Sequence, residues 1–252
     1  MSNALCVCAT ANGYGPHLDK WKSEKINDDD KFIIVDTSAN PNFDKGDFNF
    51  IESDLRNNLN FNTEVSTKNF WNSYGNRNIA WFYAHLRMLN FYLKYPEYEY
   101  YWFFDDDIFM DDWQLFFDSF KEDDSDFLSY FCFKKNGVTS QIDVPLIDNK
   151  SYSGQSWFNR FPGHGDILKS EVKEYFGSFF PTTRFSNKAL NTLLKENNEG
   201  YSAYHEGFVP TILSHNRLKL KTIISPDNTS KFFDVDKVNI IHKNIRVTWE
   251  WL

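Results

Sequence analysis

A chain of 252 residues is long enough for one large α/β domain, or two small ones, with a sizeable core. The formal net charge of −8 argues against a basic nucleic-acid footprint and gives no electrostatic attraction to anionic lipid. Cys6, Cys8 and Cys132 are an odd number without CxxC or CxxH spacing, which argues against a zinc site and favours a reducing compartment.

Met1 to Cys8 lacks the basic flank and long apolar stretch of a signal peptide. The run Ala4 to Thr10 reads instead as a first buried strand, broken at the loop Asn12-Gly13-Tyr14-Gly15-Pro16. Lys31 to Asp36 reads as a second buried strand that ends in an acid, and Asp47 to Glu52 as a weak third. Ile79, Phe82, Tyr83, Leu86, Leu89 and Leu93 recur at helical spacing, predicting a helix over 75–94 that Pro96 closes. An aromatic strand follows, Tyr100 to Phe104, and it ends in Asp105, Asp106 and Asp107.

Trp113 to Phe120 suits a short helix, with Asp111 and Asp112 as acids for its N-terminus, and Asp126 to Phe133 a strand. From Lys134 to about Pro162 the pattern is irregular. Ser186 is the expected N-cap of a helix over 187–196, and Pro210 the first turn of another from Val209 to His215. Lys219 to Ile224 and Val238 to His242 read as strands. No window approaches the ~20 apolar residues of a membrane span. The expected fold class is therefore α/β, a mostly parallel central sheet flanked by helices, with a mixed second half. The expected compartment is the cytoplasm, with contact at the inner membrane surface left open.

The acid triplet carries the chemistry. Three adjacent carboxylates between apolar runs are costly to bury without a counter-charge. At a strand's carboxyl end they suit a hard cation, Mn²⁺ or Mg²⁺, which takes one or two carboxylates and completes its shell with water and substrate phosphate. In extended chain Asp105 and Asp107 would share a side, leaving Asp106 to a ribose hydroxyl or a basic neighbour. Asp36, also at a strand end, should line the same crevice.

The pattern Tyr-Tyr-Trp-Phe-Phe-Asp-Asp-Asp-Ile resembles the Asp-x-Asp motif of GT-A-fold glycosyltransferases. In that family the motif holds Mn²⁺ or Mg²⁺ against the diphosphate of a nucleotide-sugar donor. The resemblance implies one GT-A-like domain over 1–252, with a nucleotide-sugar half (1–110) and an acceptor half (111–252) ending in a metal-ligand strand. It implies Thr10 and Asp36 at the nucleotide base and ribose, and Asp105 and Asp106 toward the donor. Asp105, Asp107 and His242 are the implied metal ligands, with Asp107 the foremost. Lys243 can meet a diphosphate oxygen as a point charge, and Arg77, at a helix start, can face the donor. Tyr204-His205-Glu206-Gly207 resembles the acid-bearing segment of inverting members, making Glu206 the general base with Asp166 as rival. Arg184 offers a further cation, and Trp157 and Phe158 are candidates to stack on an acceptor ring.

The implied activity is hexosyl transfer from a nucleotide-diphosphate donor, a UDP-sugar, to a saccharide or glycolipid acceptor. Two other readings stand beside it. A metal-dependent aspartyl phosphohydrolase also wants acids at a strand tip, but Phe109 stands where its motif has Thr or Val. A non-catalytic carbohydrate or nucleotide-sugar-binding module needs no base.

Overall fold

The computed structural model describes residues 2–26, 29–60, 83–135, 168–224, 230–238, 240–242 and 245–246. In chain order the elements are β1 (Asn3–Thr10), α1 (Pro16–Ser23), β2 (Asp30–Asp36), β3 (Phe48–Phe50), α2 (Glu52–Asn58) and α3 (Ala84–Lys94). Next come β4 (Tyr100–Asp105), β5 (Ile108–Phe109), α4 (Trp113–Asp118), β6 (Phe127–Lys135) and β7 (Tyr175–Ser186). The last are α5 (Asn187–Asn198), α6 (His205–His215), β8 (Leu220–Thr222), α7 (Val235–Val238), β9 (Ile241–His242) and β10 (Ile245–Arg246).

Seven strands form one sheet in the order β3-β2-β1-β4-β7-β6-β8. β7 runs antiparallel to both its neighbours and the other pairings are parallel. The α/β class with a mostly parallel sheet and a mixed second half is thus what the chain adopts. A small sheet, β10-β9-β5, stands beside it.

The sheet is buried on both faces, which is why its central strands read as unbroken apolar runs. Alternation along β1 and β4 splits them between two cores. Ala4, Cys6, Cys8, Tyr101 and Phe103 face a core shared with α2, α3, α5 and α6. Leu5, Val7, Ala9, Trp102 and Phe104 face the other, closed by α1, α4 and α7. On that second face Trp102 and Phe104 meet Trp113, Phe116 and Phe117 edge-on at centroid distances of 5.0 to 6.2 Å. Each buried aromatic of this kind contributes roughly 1.5–3 kcal/mol.

Several expectations need correction. β7, the longest strand described, has no counterpart among the predicted elements, because Gly177, Pro181 and Arg184 interrupt its pattern. Pro181 is tolerated because the ladder to β4 ends at Thr182 and the register with β6 slips between Ser129 and Phe131, so no N–H is missed there. α1 and α2 are likewise additions. α1 buries only Leu18 and Trp21 and α2 only Leu55, too few to set a period. α6 starts at His205, so Pro210 lies inside the helix rather than in its first turn. Val238 ends a helical turn, its N–H on the Asp234 carbonyl, and does not open a strand. Two caps are as expected: Ser186 Oγ accepts from Ala189 N at 3.1 Å and Asp112 Oδ1 from Leu115 N at 2.8 Å.

Candidate active site

The chain runs from β1 outward through β2 and β3, then returns to the other side of β1 as β4. The order reverses between β1 and β4, and in open α/β sheets ligands bind at the carboxyl ends beside such a reversal. There a crevice of about 280 Å³ opens. Cys8, Ala9 and Thr10 of β1 form one wall and Asp105, Asp106 and Asp107 the floor. Ala84 and Arg87 of α3, Phe179 to Pro181 of β7, and Tyr204, His205 and Glu206 close it.

The acid triplet is not extended. β4 ends at Asp105, and Asp106 and Asp107 form a turn into β5, with Asp106 N bonded to Cys8 O at 3.1 Å. The expected alternation of Asp105 and Asp107 across a strand therefore does not apply. Asp106 instead lies against the turn after β1: a methyl group on Gly13 would collide with its Oδ2 and sit 3.2 Å from Thr10 Oγ1. Glycine is needed at that position for close approach. Thr10 Oγ1 accepts from Gly13 N at 3.0 Å, so one hydroxyl orders the turn that backs the acid.

Three carboxylates face one guanidinium among the described residues of this crevice. Arg87 Nη2 donates to Asp105 Oδ1 at 2.6 Å. Burial works against the Arg87 charge, but the Asp105 and Asp106 carboxylates oppose it, and the group stays firmly protonated. Asp106 is pushed up to about 6, by burial first and then by Asp105 and Asp107, with Arg87 and His17 pulling the other way. The Cys8 thiol is raised to about 11 by burial, so it is no thiolate ligand or nucleophile.

Glu206, in the first turn of α6, is 6% exposed. Burial raises its carboxyl to about 8; the Tyr204 hydroxyl and the Phe180 N–H oppose the shift, and Asp105 adds to it. Tyr204 Oη donates to Glu206 Oε2 at 2.9 Å. A carboxyl poised near neutrality in a crevice is what general-base chemistry uses.

The structure brings together Thr10, Asp105, Asp106, Asp107 and Glu206. Asp36 pairs with Thr10 across β1 and β2, but it is 6% exposed, its Oδ1 accepts from Ser38 N at 2.9 Å, and it does not line the crevice. The expectation that Asp36 and the triplet share one lining is corrected: the carboxylate caps its own loop. The His242 backbone lies opposite Ile108, one residue beyond the triplet, where β9 pairs with β5; its side chain falls outside the described part. Arg77, Lys243, Asp166, Trp157 and Phe158 lie outside the described residues. Arg184 does not approach the crevice. It is buried at the other end of the sheet, bonded to Asp123 Oδ1 at 2.5 Å and to the Asp123 and Ser125 carbonyls, and stacked on Tyr100.

A larger cavity, about 560 Å³, opens at that other end. Most of its charged groups already have partners: Arg184 on Asp123, Asp30 on the Tyr98 hydroxyl, Asp29 on Asn3, Lys121 on Asp118. The crevice at the reversal point, with its excess of carboxylates over cations, is the better candidate despite its smaller volume.

Arg87, Gly13 and Tyr204 are functional candidates that sequence reasoning did not single out. Arg87 left one signal, a cation between the apolar residues Leu86 and Met88 of α3.

Oxygen donors of this kind suit a hard divalent cation. Among the described residues no group of three or more His, Cys, Asp or Glu side chains is placed to hold a metal ion. No helix among the described residues is long and apolar enough to cross a membrane. No family model matches the chain, and no curated protein does. Among solved structures the chain is similar to the bifunctional IspDF from Campylobacter jejuni, with 12% identity and a TM-score of 0.38. The match covers 95% of this chain and 55% of that one, so the chain spans about half of that protein's length. At that depth the likeness fixes neither fold nor function.

Proposed function

We propose that this protein is a metal-dependent glycosyltransferase of the GT-A type, moving a hexose from a UDP-sugar to a hydroxyl of a saccharide or glycolipid. One observation carries the reading: a carboxylate cluster suited to a hard cation and a buried carboxyl raised to about 8 share a crevice at the sheet's reversal point. Asp105 and Asp107 would hold the cation, with His242, whose backbone pairs opposite Ile108, as the further ligand we propose, and Asp106 lies against the turn that bears Thr10. Bound there, Mn²⁺ or Mg²⁺ supplies Lewis-acid stabilisation of the leaving nucleoside diphosphate. Arg87 offsets the triplet's charge while fixing Asp105 in place. Thr10, which ends β1 and lines the crevice, marks the nucleotide side.

Glu206 takes the proton from the acceptor hydroxyl. A conjugate acid near 8 makes a base strong enough to accept that proton and still partly ionised at neutral pH. The cytoplasm is the compartment we assign, because Cys6, Cys8 and Cys132 are all buried thiols. A glycolipid acceptor would add a peripheral membrane contact.

The test is a thermal-shift series of nucleotide sugars with Mn²⁺ and with chelator. A donor at a hundred times its Kd should stabilise the protein by about 2.7 kcal/mol, only with metal. Asp107→Ala should abolish both that shift and sugar transfer while its melting in buffer stays unchanged. No metal-dependent shift with any UDP- or GDP-sugar would overturn the proposal.

A further inference from the structure

Glu206 is held by a device that starts four residues away. In an α-helix the N–H of residue 210 would bond the carbonyl of residue 206. Pro210 has no N–H, so that carbonyl loses its helical partner in a buried place, where an unpaired carbonyl is costly. The hydroxyl of Ser178, a residue 1% exposed on β7, donates to it instead at 3.1 Å. One turn further on, Thr211 Oγ1 accepts from Phe176 N at 2.9 Å and donates to Phe176 O at 3.3 Å. α6 is thus bonded to β7 at two places, at the Glu206 carbonyl where its own ladder is open and at the Thr211 side chain. β7 in turn pairs with β4, Thr182 opposite Phe104, next to Asp105. A continuous hydrogen-bonded frame links the Glu206 backbone to the acid triplet.

The side chain is fixed as well. Tyr204 Oη donates to Glu206 Oε2 at 2.9 Å, and the Phe180 N–H of β7 bonds the same carboxyl. We infer that Tyr204 and Ser178 are positioning residues for Glu206: Tyr204 sets its carboxyl rotamer, and Ser178 replaces the bond that Pro210 removes, seating residue 206 on β7. The inference rests on Glu206 being the base.

Other charges around Glu206 are few among the described residues. Asp105 of β4 disfavours its ionisation, and Arg87 of α3 offsets Asp105. His85 of α3, packed on Phe208, is held neutral by burial, its pKa lowered to about 3. His205 packs against Phe180 and Tyr204. Phe127, Cys132 and Leu220 of β6 and β8 belong to the same apolar core as α6, and the buried Lys134 of β6 is paired with Glu174 at 2.9 Å. On α5, Glu196 reaches α6 only at Asn216, just past its far end. The Tyr204 hydroxyl bonds the carboxyl and favours its charged form.

The experiment compares Tyr204→Phe, Ser178→Ala and Ser178→Ala/Pro210→Ala with Glu206→Gln as reference, all in the full chain. Calorimetric titration with Mn²⁺ and the donor sugar reports the underlying reading and should be unchanged throughout. In Tyr204→Phe the acid limb of kcat against pH should move up by about one pH unit, lowering kcat near pH 7 about tenfold. The donor KM should stay put. Infrared titration of the carboxyl band that Glu206→Gln removes should show the same shift without any turnover. Ser178→Ala should lower kcat, and adding Pro210→Ala, which restores the helical N–H, should recover most of the loss. An unmoved carboxyl band in Tyr204→Phe, or no recovery in the double variant, overturns the inference. Transfer that survives Glu206→Gln overturns the base assignment instead.

Discussion

Replacing Glu206 by glutamine removes an ionisable group that the fold holds in its neutral form, and the pH dependence of stability should register it. The folded carboxyl titrates at about 8 against an ordinary 4.5, because burial penalises its charge. The folded state therefore binds this proton more tightly than the unfolded chain does. That contribution is fully present below about 4.5 and is lost as pH rises toward and through about 8. Each pH unit is worth about 1.4 kcal/mol, so the full loss is on the order of 2–5 kcal/mol, the upper figure assuming no relaxation around the charge.

The introduced amide keeps an oxygen for Tyr204 and Phe180 but brings a buried NH₂, an offset of roughly 1–3 kcal/mol at every pH. Asp106 titrates in both proteins and cancels in their difference. Urea unfolding followed by tryptophan fluorescence, at pH 5 and pH 9 with chelator present, measures the effect. Between those pH values the variant should gain about 2–4 kcal/mol relative to the parent, at unchanged m-value. Parallel stability curves, within about 0.5 kcal/mol, would refute the claim that Glu206 is held neutral by burial.

Gly13→Ala places a methyl group on the Asp106 carboxylate, which must swing away. Mn²⁺-dependent nucleotide binding should weaken about tenfold, by calorimetric titration, with about 1 kcal/mol lost in unfolding; equal affinity would mean Asp106 moves without consequence. Asp123→Ala strips the buried Arg184 and the half-buried Lys221 of their shared carboxylate. Stability should fall by about 3–5 kcal/mol while donor binding to the folded protein stays intact; a loss of binding would return Arg184 to the candidate site.

Where burial is continuous and a turn or an acid ends it, the sequence is readable. β1, β2 and β4 stand close to where their apolar runs place them, and the Ser186 cap needs only a serine before a helical period. β7 hides because its buried residues include Thr182, Thr183 and Arg184, polar groups that a core accepts only once their partners are known. α1, with two lysines and an aspartate in eight residues, carries too little apolar pattern to announce itself. In the site, the triplet is visible through the cost of its charges and Glu206 through resemblance. Arg87 is not, since its partner Asp105 is 18 residues away and nothing in a helix's period names what faces it.

The pairing of β4 with β7 bears on how the chain is made. β4 is the most aromatic strand of the sheet, and β1 covers only one of its edges. The other edge waits for residues 182–186. Phe104 and its partner Thr182 are 78 positions apart (182 − 104), so at roughly 5–20 residues per second a ribosome needs about 4–16 s to deliver the cover. During that interval the nascent chain presents Tyr-Tyr-Trp-Phe-Phe as an open strand edge, a template for pairing with other chains. The same strand that ends in the acid triplet thus leaves an apolar edge open while the chain is made.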